Sequence, residues 1–341
     1  MRRELVCLRP SSPPALEVRH MPVPAPGRGE VLVRVEATSV NPIDARRATG
    51  YGQRLLALKG AGHFPLVLGN DVVGCIEALG AGASRFSTGE RVYGLVGTGR
   101  KGGAHASHVV VPQSQLRPAP AGVGTELLAV LPYCFTTMWL AVRGAGLTRA
   151  NATGKRVLVL GSAGALGRLS LQMLSSWGCS ITAICATGTT QECRALGATV
   201  AVERGSTAIR SLPADFDAVL NFASWEEELA LASRLSSTAL GQATTVHPLL
   251  GNFDRFGWLK GSLACQRDKQ QVKEAIRQRS PAGRYAWTIF NPDDRALTDL
   301  AAYMAAQRLS LPVGTCVGFD HADHAFAHVA AGKPGRAVLT P

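Results

Sequence analysis

Short apolar runs separated by glycine and proline fill the first third of the chain. Between Glu4 and Pro112 they are ELVCL, EVLVRVEATSV, DVVGCIEALG, RVYGLV and ASHVVVP. Runs of this length, rich in valine and bounded by turn residues, are typical of β-strands. From Glu4 to about Leu116 we therefore expect a strand-rich, partly antiparallel domain.

From about Val123 the pattern changes to helix, strand, helix. A long helix is predicted for TELLAVLPYCFTTMWLAVRGAGL, and buried strands for RVLVLG, SITAIC, TVAVE and DAVLNFA. Strands that alternate with helices indicate a parallel sheet with crossover helices. Towards the end of the chain, strand, helix, strand, helix and strand are predicted in GRYAWTIF, DRALTDLAAYMAAQRLSL, PVGTCVGF and HADHAFAHVAAGKPGRAVLTP.

The helix that follows NFAS has a predicted start signal. Ser224 and Glu227 have the spacing of a capping box, in which each side chain bonds the other residue's backbone amide. Glu226 to Glu228 are then expected to be an acidic first turn, favoured by the helix dipole, and not a catalytic carboxylate cluster.

Length and composition fit an ordinary globular protein. A chain of 341 residues, 46% of them hydrophobic, is long enough for two domains with separate cores. We expect no membrane span, and MRRELVCLRPSSPP lacks the apolar region of a secretory signal, so a cytoplasmic location is expected. The eight cysteines contain no CxxC pair, which favours reduced thiols over a disulfide framework or a structural zinc site.

The chain is basic, with a formal net charge of +12. Such a field favours anionic partners, for example a phosphorylated cofactor or an acidic carrier protein. The basic residues are dispersed, without a basic run or interleaved aromatic residues, so no nucleic-acid partner is expected.

One glycine cluster lies in the context of a nucleotide site. In VLVLGSAGALGRLSLQ, a buried strand leads into a glycine-rich turn and then into a helix. Glycines let the backbone approach a pyrophosphate, and the helix N-terminus supplies amide hydrogens and a favourable dipole. We predict that a dinucleotide binds at Gly161, Ser162, Ala163, Gly164, Ala165, Leu166 and Gly167.

A second cluster, GTGRKGG at residues 97–103, matches GxGxxG but is followed by the strand AHASHVVVP. No helix follows it to receive a phosphate, so a loop between strands is the expected structure.

The segment after the next strand, ATGTTQECR, indicates which dinucleotide is bound. An NAD-selective site usually places an acidic residue there for the ribose hydroxyls, and this segment has none directly after the strand. Hydroxyl groups and positive charge for a 2′-phosphate are instead available from Thr187, Thr189, Thr190 and Arg194. The predicted cofactor is NADPH, with NADH left open.

Several motifs in order resemble one protein family. They are SVNPIDARRATGYG, FPLVLGNDVVGCIEALGAGASRFSTGERVYG, GGAHASHVVVP, LPYCFTTMWLAV, GKRVLVLGSAGALG, RALGA, GRYAWTIF and GKPGRAVL. Together they resemble the zinc-independent quinone oxidoreductase branch of the medium-chain dehydrogenase/reductase superfamily, and within it the reticulon-interacting-protein group. The resemblance implies an α/β fold. A GroES-like, strand-rich catalytic domain would comprise residues 1–123 and 310–341, and a Rossmann domain with a doubly wound parallel sheet residues 124–309. It also implies a homodimer.

The resemblance also bears on metal binding. Zinc-dependent relatives have a cysteine where this chain has Asn41, a His-Glu pair where it has Asn70 and Asp71, and a four-cysteine lobe in the region of GLVGTGRKGG. Soft zinc ligands are missing at these positions, so no metal is expected. Two histidine groups at helical or strand spacing lack a completing carboxylate or thiolate: His321, His324 and His328, and His105 with His108.

The resemblance supplies candidate catalytic residues. Asn41 and Asp44 fall on the family's NPxD turn beside the nicotinamide, where they would orient substrate or water. For Asp44 a purely structural turn around Pro42 is an equal alternative. Tyr51 is the candidate proton or hydrogen-bond donor, although many relatives have the tyrosine one position later; packing is the alternative role.

Further cofactor contacts follow from the resemblance and from strand ends. Thr137 matches the family's threonine at the nicotinamide end, and the remaining candidates are Phe222, Ala223, Val246 and Phe290. The family usually has an aspartate where this chain has Asn221, followed by glycines.

The predicted function is hydride transfer from NADPH to a small-molecule quinone or α,β-unsaturated carbonyl compound. Negative charge then develops on an enolate or phenolate oxygen, which hydrogen-bond donors can stabilise without zinc. Two alternatives remain. One is a biosynthetic enoyl-thioester or ene-reductase, and the other a dinucleotide-binding sensor or scaffold protein with little turnover.

Overall fold

The computed structural model describes residues 1–99, 102–205, 209–306 and 309–341. The chain folds into two compact units. The first unit comprises residues 1–133, 253–257 and 291–341, and the second comprises residues 134–252 and 258–290. The units change over at residues 133 and 290, whereas the domain division expected from the sequence has its boundaries after residues 123 and 309.

The elements run in the following order. Those before the glycine-rich turn are β1 (Arg2–Cys7), β2 (Leu16–Met21), β3 (Glu30–Val40), α1 (Pro42–Ala48), α2 (Gln53–Ala57), β4 (Leu66–Val67), β5 (Asp71–Leu79), β6 (Arg91–Leu95), β7 (His108–Pro112), β8 (Leu116–Pro118), α3 (Thr125–Gly144) and β9 (Arg156–Leu160). Those after it are α4 (Ala165–Ser176), β10 (Ser180–Cys185), α5 (Thr190–Ala195), β11 (Val200–Glu203), β12 (Ala218–Asn221), α6 (Glu228–Ala232), β13 (Gly241–Thr244), α7 (Leu249–Arg279), β14 (Arg284–Trp287), α8 (Asp294–Ala305), β15 (Val313–Gly318), α9 (Ala322–Ala330) and β16 (Arg336–Thr340).

The first unit is built on mostly antiparallel strands, as the sequence predicts. One sheet has the order β2-β1-β4, and a larger one has the order β15-β16-β3-β5-β6-β8, with β7 also pairing with β3. Val31, Val33 and Val35 alternate along β3 and are buried in the core of this unit, as strand periodicity requires. Ala337 of β16 pairs antiparallel with Val40, so both ends of the chain contribute to one sheet.

The second unit contains a six-stranded sheet of order β11-β10-β9-β12-β13-β14. All its neighbouring strands are parallel, which confirms the predicted α/β architecture. After β9 the chain continues outwards through β10 and β11, and it then crosses to β12 on the other side. In such sheets, ligands bind beyond the carboxyl ends of the strands at this reversal point.

The apolar pattern did not give bounds for β13 or α7, although a strand was expected to end just before Val246. The sequence of β13, GQAT, contains buried Gln242 and Thr244 in place of an apolar run. In α7, Gly257 has φ 74° and ψ −168°, which interrupts the helix and obscures a single helical periodicity.

The helix α3 contains the most apolar long segment found among the described residues. By length and composition alone it could cross a membrane, but 72% of its apolar window is buried inside the protein. Core helices of folded proteins can be as long and as apolar as this one.

The second glycine cluster leads into a strand, as predicted. Arg100 and Lys101 of this cluster lie outside the described residues. Gly103 donates its amide to the Val67 carbonyl over 2.9 Å, and a Cβ there would overlap the backbone of Leu68. Its glycines therefore allow close packing on β4, and β7 is the next regular element.

Candidate functional site

The glycine-rich turn between β9 and α4 is a close crossing of backbone segments. Gly161 has φ +84°, a left-handed conformation that favours glycine. A Cβ on Gly167 would lie 2.5 Å from Ser162 Cα, and closer still to the Gly161 carbonyl oxygen. The buried Ser162 hydroxyl donates to the Val159 carbonyl over 2.7 Å. Gly161 and Gly167 are thus fixed by the fold of the turn itself.

Gly164 has a different role, because the space around it is open. It is the N-cap of α4 in an extended conformation, and a Cβ there would meet only the Gly161 carbonyl oxygen, at 3.4 Å. The amides of Ala165 and Leu166 lie in the first turn of the helix, where no carbonyl one turn earlier can accept from them. An open cradle lined by helix N-terminal amides fits a pyrophosphate group.

The loops after neighbouring strands meet beside this turn. A Cβ on Gly161 would lie 3.0 Å from the Cβ of Ala223 and 3.3 Å from the carbonyl carbon of Phe222, in the loop after β12. Thr245 donates its amide to the Asn221 carbonyl over 3.1 Å, which joins the loops after β12 and β13. Val246 lies in the second of these loops. Four predicted cofactor contacts therefore come together at one edge of the sheet: Gly161, Phe222, Ala223 and Val246.

Two further predicted contacts also lie in the second unit. Phe290 is half-buried just after β14. Thr137 on α3 is 6% exposed, and its hydroxyl has no hydrogen-bond partner among the residues that the structure describes. A buried hydroxyl without a partner is costly, so a ligand that bonds Thr137 would remove this cost.

The loop after β10 holds the residues predicted to select the cofactor. Thr187 is exposed, the hydroxyl of Thr189 donates to the Ala186 carbonyl over 2.7 Å, closing the turn, and Thr190 begins α5. Arg194 is exposed in the last turn of that helix. These side chains lie at the carboxyl end of β10, where an adenosine ribose binds in doubly wound sheets.

An acidic residue that the sequence pattern did not reveal reaches this loop from the neighbouring strand. Glu203 ends β11, and its Oε1 accepts the amide of Gly188 over 2.7 Å. Arg204 follows Glu203 and is exposed. The pKa of Glu226 is lowered mainly by a hydrogen bond from Ser224, and the positive charge of Arg204 lowers it further. The available signal was that the predicted strands SITAIC and TVAVE end at Cys185 and Glu203, which would share an edge in a parallel sheet; the structure pairs these two residues.

Arg168 was also missed at the glycine turn. Its Nε donates to the Ala163 carbonyl over 3.0 Å, and its guanidinium forms an ion pair with Glu192 of α5. Arg168 therefore links the turn to the helix that follows β10.

A buried carboxylate holds the loop after β12. Glu228 is 1% exposed and accepts hydrogen bonds from the side-chain amides of Asn221, at 2.5 Å, and Gln242, at 2.7 Å. Burial raises the pKa of Glu228, against the lowering effect of hydrogen bonds from Asn221, Gln242 and Tyr285. Asn221 Oδ1 in turn accepts the amides of Ala223 and Ser224, so Glu228 fixes the shape of this loop.

The expected capping box is wrong. Ser224 makes no side-chain cap bond, and its hydroxyl donates instead to Glu226 over 2.5 Å. Glu228, expected in an acidic first turn, is buried, and Asn221 and Gln242 donate hydrogen bonds to its carboxylate.

Replacement of Glu228 by alanine is expected to lower the free energy of unfolding by about 3 kcal/mol, because buried donors lose their acceptor. NADPH affinity should fall as well, since the Phe222–Ala223 loop loses its support. Denaturant titration and fluorescence titration with NADPH measure the two effects. Glu227→Ala is the matched control, with an expected change below about 0.5 kcal/mol; equal effects of the two variants would contradict this role of Glu228.

A buried polar network in the first unit joins Asn41 and Asp71, two of the positions that the resemblance aligns with zinc ligands. Asp71 is fully buried, and its Oδ2 accepts from Ser39 Oγ at 2.5 Å and from Asn41 Nδ2 at 2.9 Å. Its Oδ1 accepts the backbone amide of Tyr133 over 2.6 Å. Asn41 Oδ1 accepts from the guanidinium of Arg336. Burial raises the pKa of Asp71 to about 6, opposed by these hydrogen bonds and by the charge of Arg336.

Asp44 is bound on both oxygens by backbone amides. Oδ2 accepts from Asn41 at 2.8 Å, and Oδ1 accepts from Gly69 at 3.0 Å. Asp44 is fully buried, which is the environment of a residue that ties loops together.

Tyr51 lies half-buried beyond α1, and the guanidinium of Arg46 stacks over its ring at 3.5 Å from the ring centre. Its backbone amide donates to the Arg46 carbonyl. The phenol is held by stacking at the surface of the first unit. Tyr51 follows the C-terminal end of α1, whereas Asn41 and Asp44 lie at its N-terminal end.

The described residues contain no group of three His, Cys, Asp or Glu that could hold a metal ion. His105 is buried against the Ser39 carbonyl at 2.9 Å, whereas His108 pairs with Glu77 at 3.0 Å. Of the C-terminal histidines, His321 and His324 stack on each other, and His328 contacts the Gly335 carbonyl at 3.1 Å.

Comparison with known proteins agrees with this architecture. The model of the alcohol dehydrogenase GroES-like domain matches residues 27–121. The human mitochondrial NAD(P)H oxidoreductase RTN4IP1 is 30% identical over 325 residues, which cover 91% of this chain and 81% of that protein.

Two solved structures share the fold along nearly the entire chain. A quinone oxidoreductase from Coxiella burnetii has a TM-score of 0.82 at 19% identity, over 100% of this chain and 99% of that one. The CurK enoyl reductase has a TM-score of 0.78 at 18% identity, over 99% of both chains. From its sequence similarity and fold, the chain belongs to the medium-chain dehydrogenase/reductase superfamily, in a family with the RTN4IP1 proteins.

Proposed function

We propose that the protein is an NADPH-dependent oxidoreductase that works without zinc. Its acceptor is a quinone or an α,β-unsaturated carbonyl compound, of which it reduces the C=C bond. The observation that carries the proposal is the open cradle at Gly164, between the conformationally restricted Gly161 and Gly167. RTN4IP1 is named an NAD(P)H oxidoreductase, and the two solved structures compared above are named a quinone oxidoreductase and an enoyl reductase, which supports the reaction class.

The residues of the second unit would hold the dinucleotide. The first-turn amides of α4 and the cradle at Gly164 would bind the pyrophosphate, and the buried hydroxyl of Thr137 would bond the nicotinamide end. Bound NADPH supplies the hydride. The protein contributes binding, orientation and a fixed electrostatic environment.

The donor set supports a reaction without zinc. Asn41 presents an amide where zinc relatives have a thiolate, and both of its polar atoms bond within the protein, to Arg336, Ser39 and Asp71. Zinc prefers thiolate and imidazole ligands. In an enone or quinone, the charge that follows hydride addition is spread onto oxygen, where a hydrogen-bond donor such as Tyr51 can stabilise it.

Preference for NADPH rests on the edge formed by β10 and β11. Arg194 and Arg204 are exposed there, with the hydroxyls of Thr187 and Thr190 nearby in sequence. Glu203 is the opposing charge, but its carboxylate is bound to the Gly188 amide.

We expect wild-type kcat/KM to favour NADPH over NADH by about tenfold or more, or about 1.4 kcal/mol. Arg194→Gln and Arg204→Gln should each lower kcat/KM for NADPH about threefold and leave NADH unchanged, because only NADPH carries the 2′-phosphate. Steady-state kinetics with both cofactors measure this, with the exposed Arg277→Gln on α7 as control. An NADH preference that survives in Glu203→Gln would contradict the assignment.

The reaction itself is tested with NADPH and a panel of quinones, enones and enoyl thioesters. We expect NADPH oxidation with at least one quinone or enone. A cofactor-induced fluorescence change without oxidation of NADPH by any acceptor would favour the sensor or scaffold function instead.

A further inference from the structure

An arginine-rich surface surrounds Tyr51 in the first unit. Arg46 stacks on the Tyr51 ring at 3.5 Å from the ring centre. Arg54 lies three residues after Tyr51, and its Nη1 would be 3.5 Å from a Cβ on Gly257. We call this surface, formed by Arg46, Tyr51, Arg54, Arg255 and Phe256, the arginine surface.

The two chain segments of this surface are tied together by Asp254. Its Oδ2 accepts the Gly52 amide at 2.5 Å, and its Oδ1 accepts the Arg54 amide at 3.2 Å. Arg255 and Phe256 follow directly, with the Arg255 guanidinium 5.0 Å from the centre of the Phe256 ring. Asp254 thus brings Arg255 beside the segment of Arg54 and Tyr51, although the two are about 200 residues apart in sequence.

The charges of the arginine surface are not balanced by acidic side chains. Within the described part of the chain, the guanidinium groups of Arg46, Arg54 and Arg255 form no ion pair. All three residues are exposed. The carboxylate of Asp254, which joins the two segments, is bound to two backbone amides. Stacking of Arg46 and Arg255 on aromatic rings leaves the edges of their guanidinium groups available as donors.

We propose that this surface binds an anionic group, a carboxylate or a phosphate, on the acceptor that the enzyme reduces. Guanidinium groups bind carboxylate and phosphate through paired N–H donors. Tyr51 and Phe256 supply apolar rings beside these donors, which suits an acceptor with a flat unsaturated part and an anionic end. The inference rests on the proposed function for the identity of the reacting group, but the binding of the anion is independent of turnover.

The test compares acceptors that differ only in charge. Cinnamaldehyde and its para-carboxy derivative form one pair; crotonyl-pantetheine and crotonyl-4′-phosphopantetheine, which carries a phosphate, form the other. At low salt we expect KM for the charged member of at least one pair to be about tenfold lower, and added NaCl to remove the difference. The pair in which the charged member has the lower KM shows whether the surface binds a carboxylate or a phosphate.

Arg54→Gln and Arg255→Gln are each expected to raise KM for the preferred charged acceptor about threefold, and together about tenfold, with KM for its neutral partner unchanged. Arg277→Gln on α7 is the control for loss of one exposed positive charge, and it should change neither KM.

Calorimetric titration of the same acceptors in the absence of NADPH measures binding without reaction. If no acceptor is reduced, the proposed function fails, and this titration alone decides whether the surface binds anions. Equal Kd values for the charged and neutral members of both pairs, or effects of Arg54→Gln and Arg255→Gln no larger than that of Arg277→Gln, would overturn the proposal.

Discussion

Replacement of Gly164 by leucine is expected to weaken NADPH binding by about a hundredfold or more, which is about 3 kcal/mol, with little change in the stability of the protein. The backbone of Gly164 is extended, with φ −76° and ψ 170°, which any residue can adopt. A Cβ there meets only the Gly161 carbonyl oxygen at 3.4 Å. The added side chain therefore occupies the cradle and not the protein interior.

Gly167→Ala is the informative comparison for this variant. Its Cβ would lie 2.5 Å from Ser162 Cα, so the backbone of the turn must move, at a cost of about 1–3 kcal/mol of unfolding free energy. We expect Gly167→Ala to lose both stability and NADPH affinity, whereas Gly164→Leu loses affinity alone.

Fluorescence titration with NADPH and thermal unfolding of both variants separate the two outcomes. The unfolding temperature of Gly164→Leu should stay within about 2 °C of the wild type. Retention of NADPH affinity in this variant would show that the cofactor does not bind at the glycine turn.

Replacement of Arg336 by methionine is expected to destabilise the protein by about 3–5 kcal/mol at pH 8, because Asp71 and Asn41 lose a buried partner. Arg336 is 8% exposed and Asp71 is fully buried. Burial raises the pKa of Asp71, and the positive charge of Arg336 is one of the influences that hold it down to about 6.

The loss should depend on pH. Because the pKa of Asp71 is about 6 in the folded protein and about 3.9 in the unfolded chain, the folded state binds this proton more tightly. Stability therefore falls as pH rises from about 4 through about 6, by about 3 kcal/mol. Without Arg336 the folded pKa rises further, so the fall continues to higher pH, and the variant loses less at pH 5 than at pH 8.

Denaturant titration of wild type, Arg336→Met and the double variant Asp71→Asn/Arg336→Met at pH 5 and pH 8 measures this linkage. The double variant removes the titrating group, and its stability should lack the part of the pH dependence due to Asp71. An equal loss for Arg336→Met at both pH values would contradict the coupling between these two residues.

Elements with a strong local pattern could be predicted from the sequence. The apolar strands β9, β10 and β12 and the glycine turn lie where the periodicity places them, because each burial pattern repeats over a few neighbouring residues. The strand β13 could not be found in this way, since buried Gln242 and Thr244 interrupt its apolar character. The side-chain amide of Gln242 donates to Glu228, 14 residues earlier in the sequence, which local sequence does not show.

The polar networks depend on partners that are distant in sequence. Asn41 bonds Arg336 at a separation of 295 residues, and Tyr133 bonds Asp71 at a separation of 62. Among three consecutive glutamates, only burial distinguishes Glu228 from Glu226, and burial follows from packing. Glu203 likewise reaches Gly188 because β10 and β11 end at the same edge of the sheet.

Hydride transfer from NADPH to carbon is the central claim, and isotope transfer tests it most directly. The protein is treated with a chelator and then incubated with NADPH that carries deuterium at the transferable position of the nicotinamide, together with an enone. We predict deuterium at the β-carbon of the reduced product, at a rate that the chelator does not change. Reduction that occurs only after zinc is restored, or NADPH binding without labelled product from any enone and without reduction of any quinone, would contradict it.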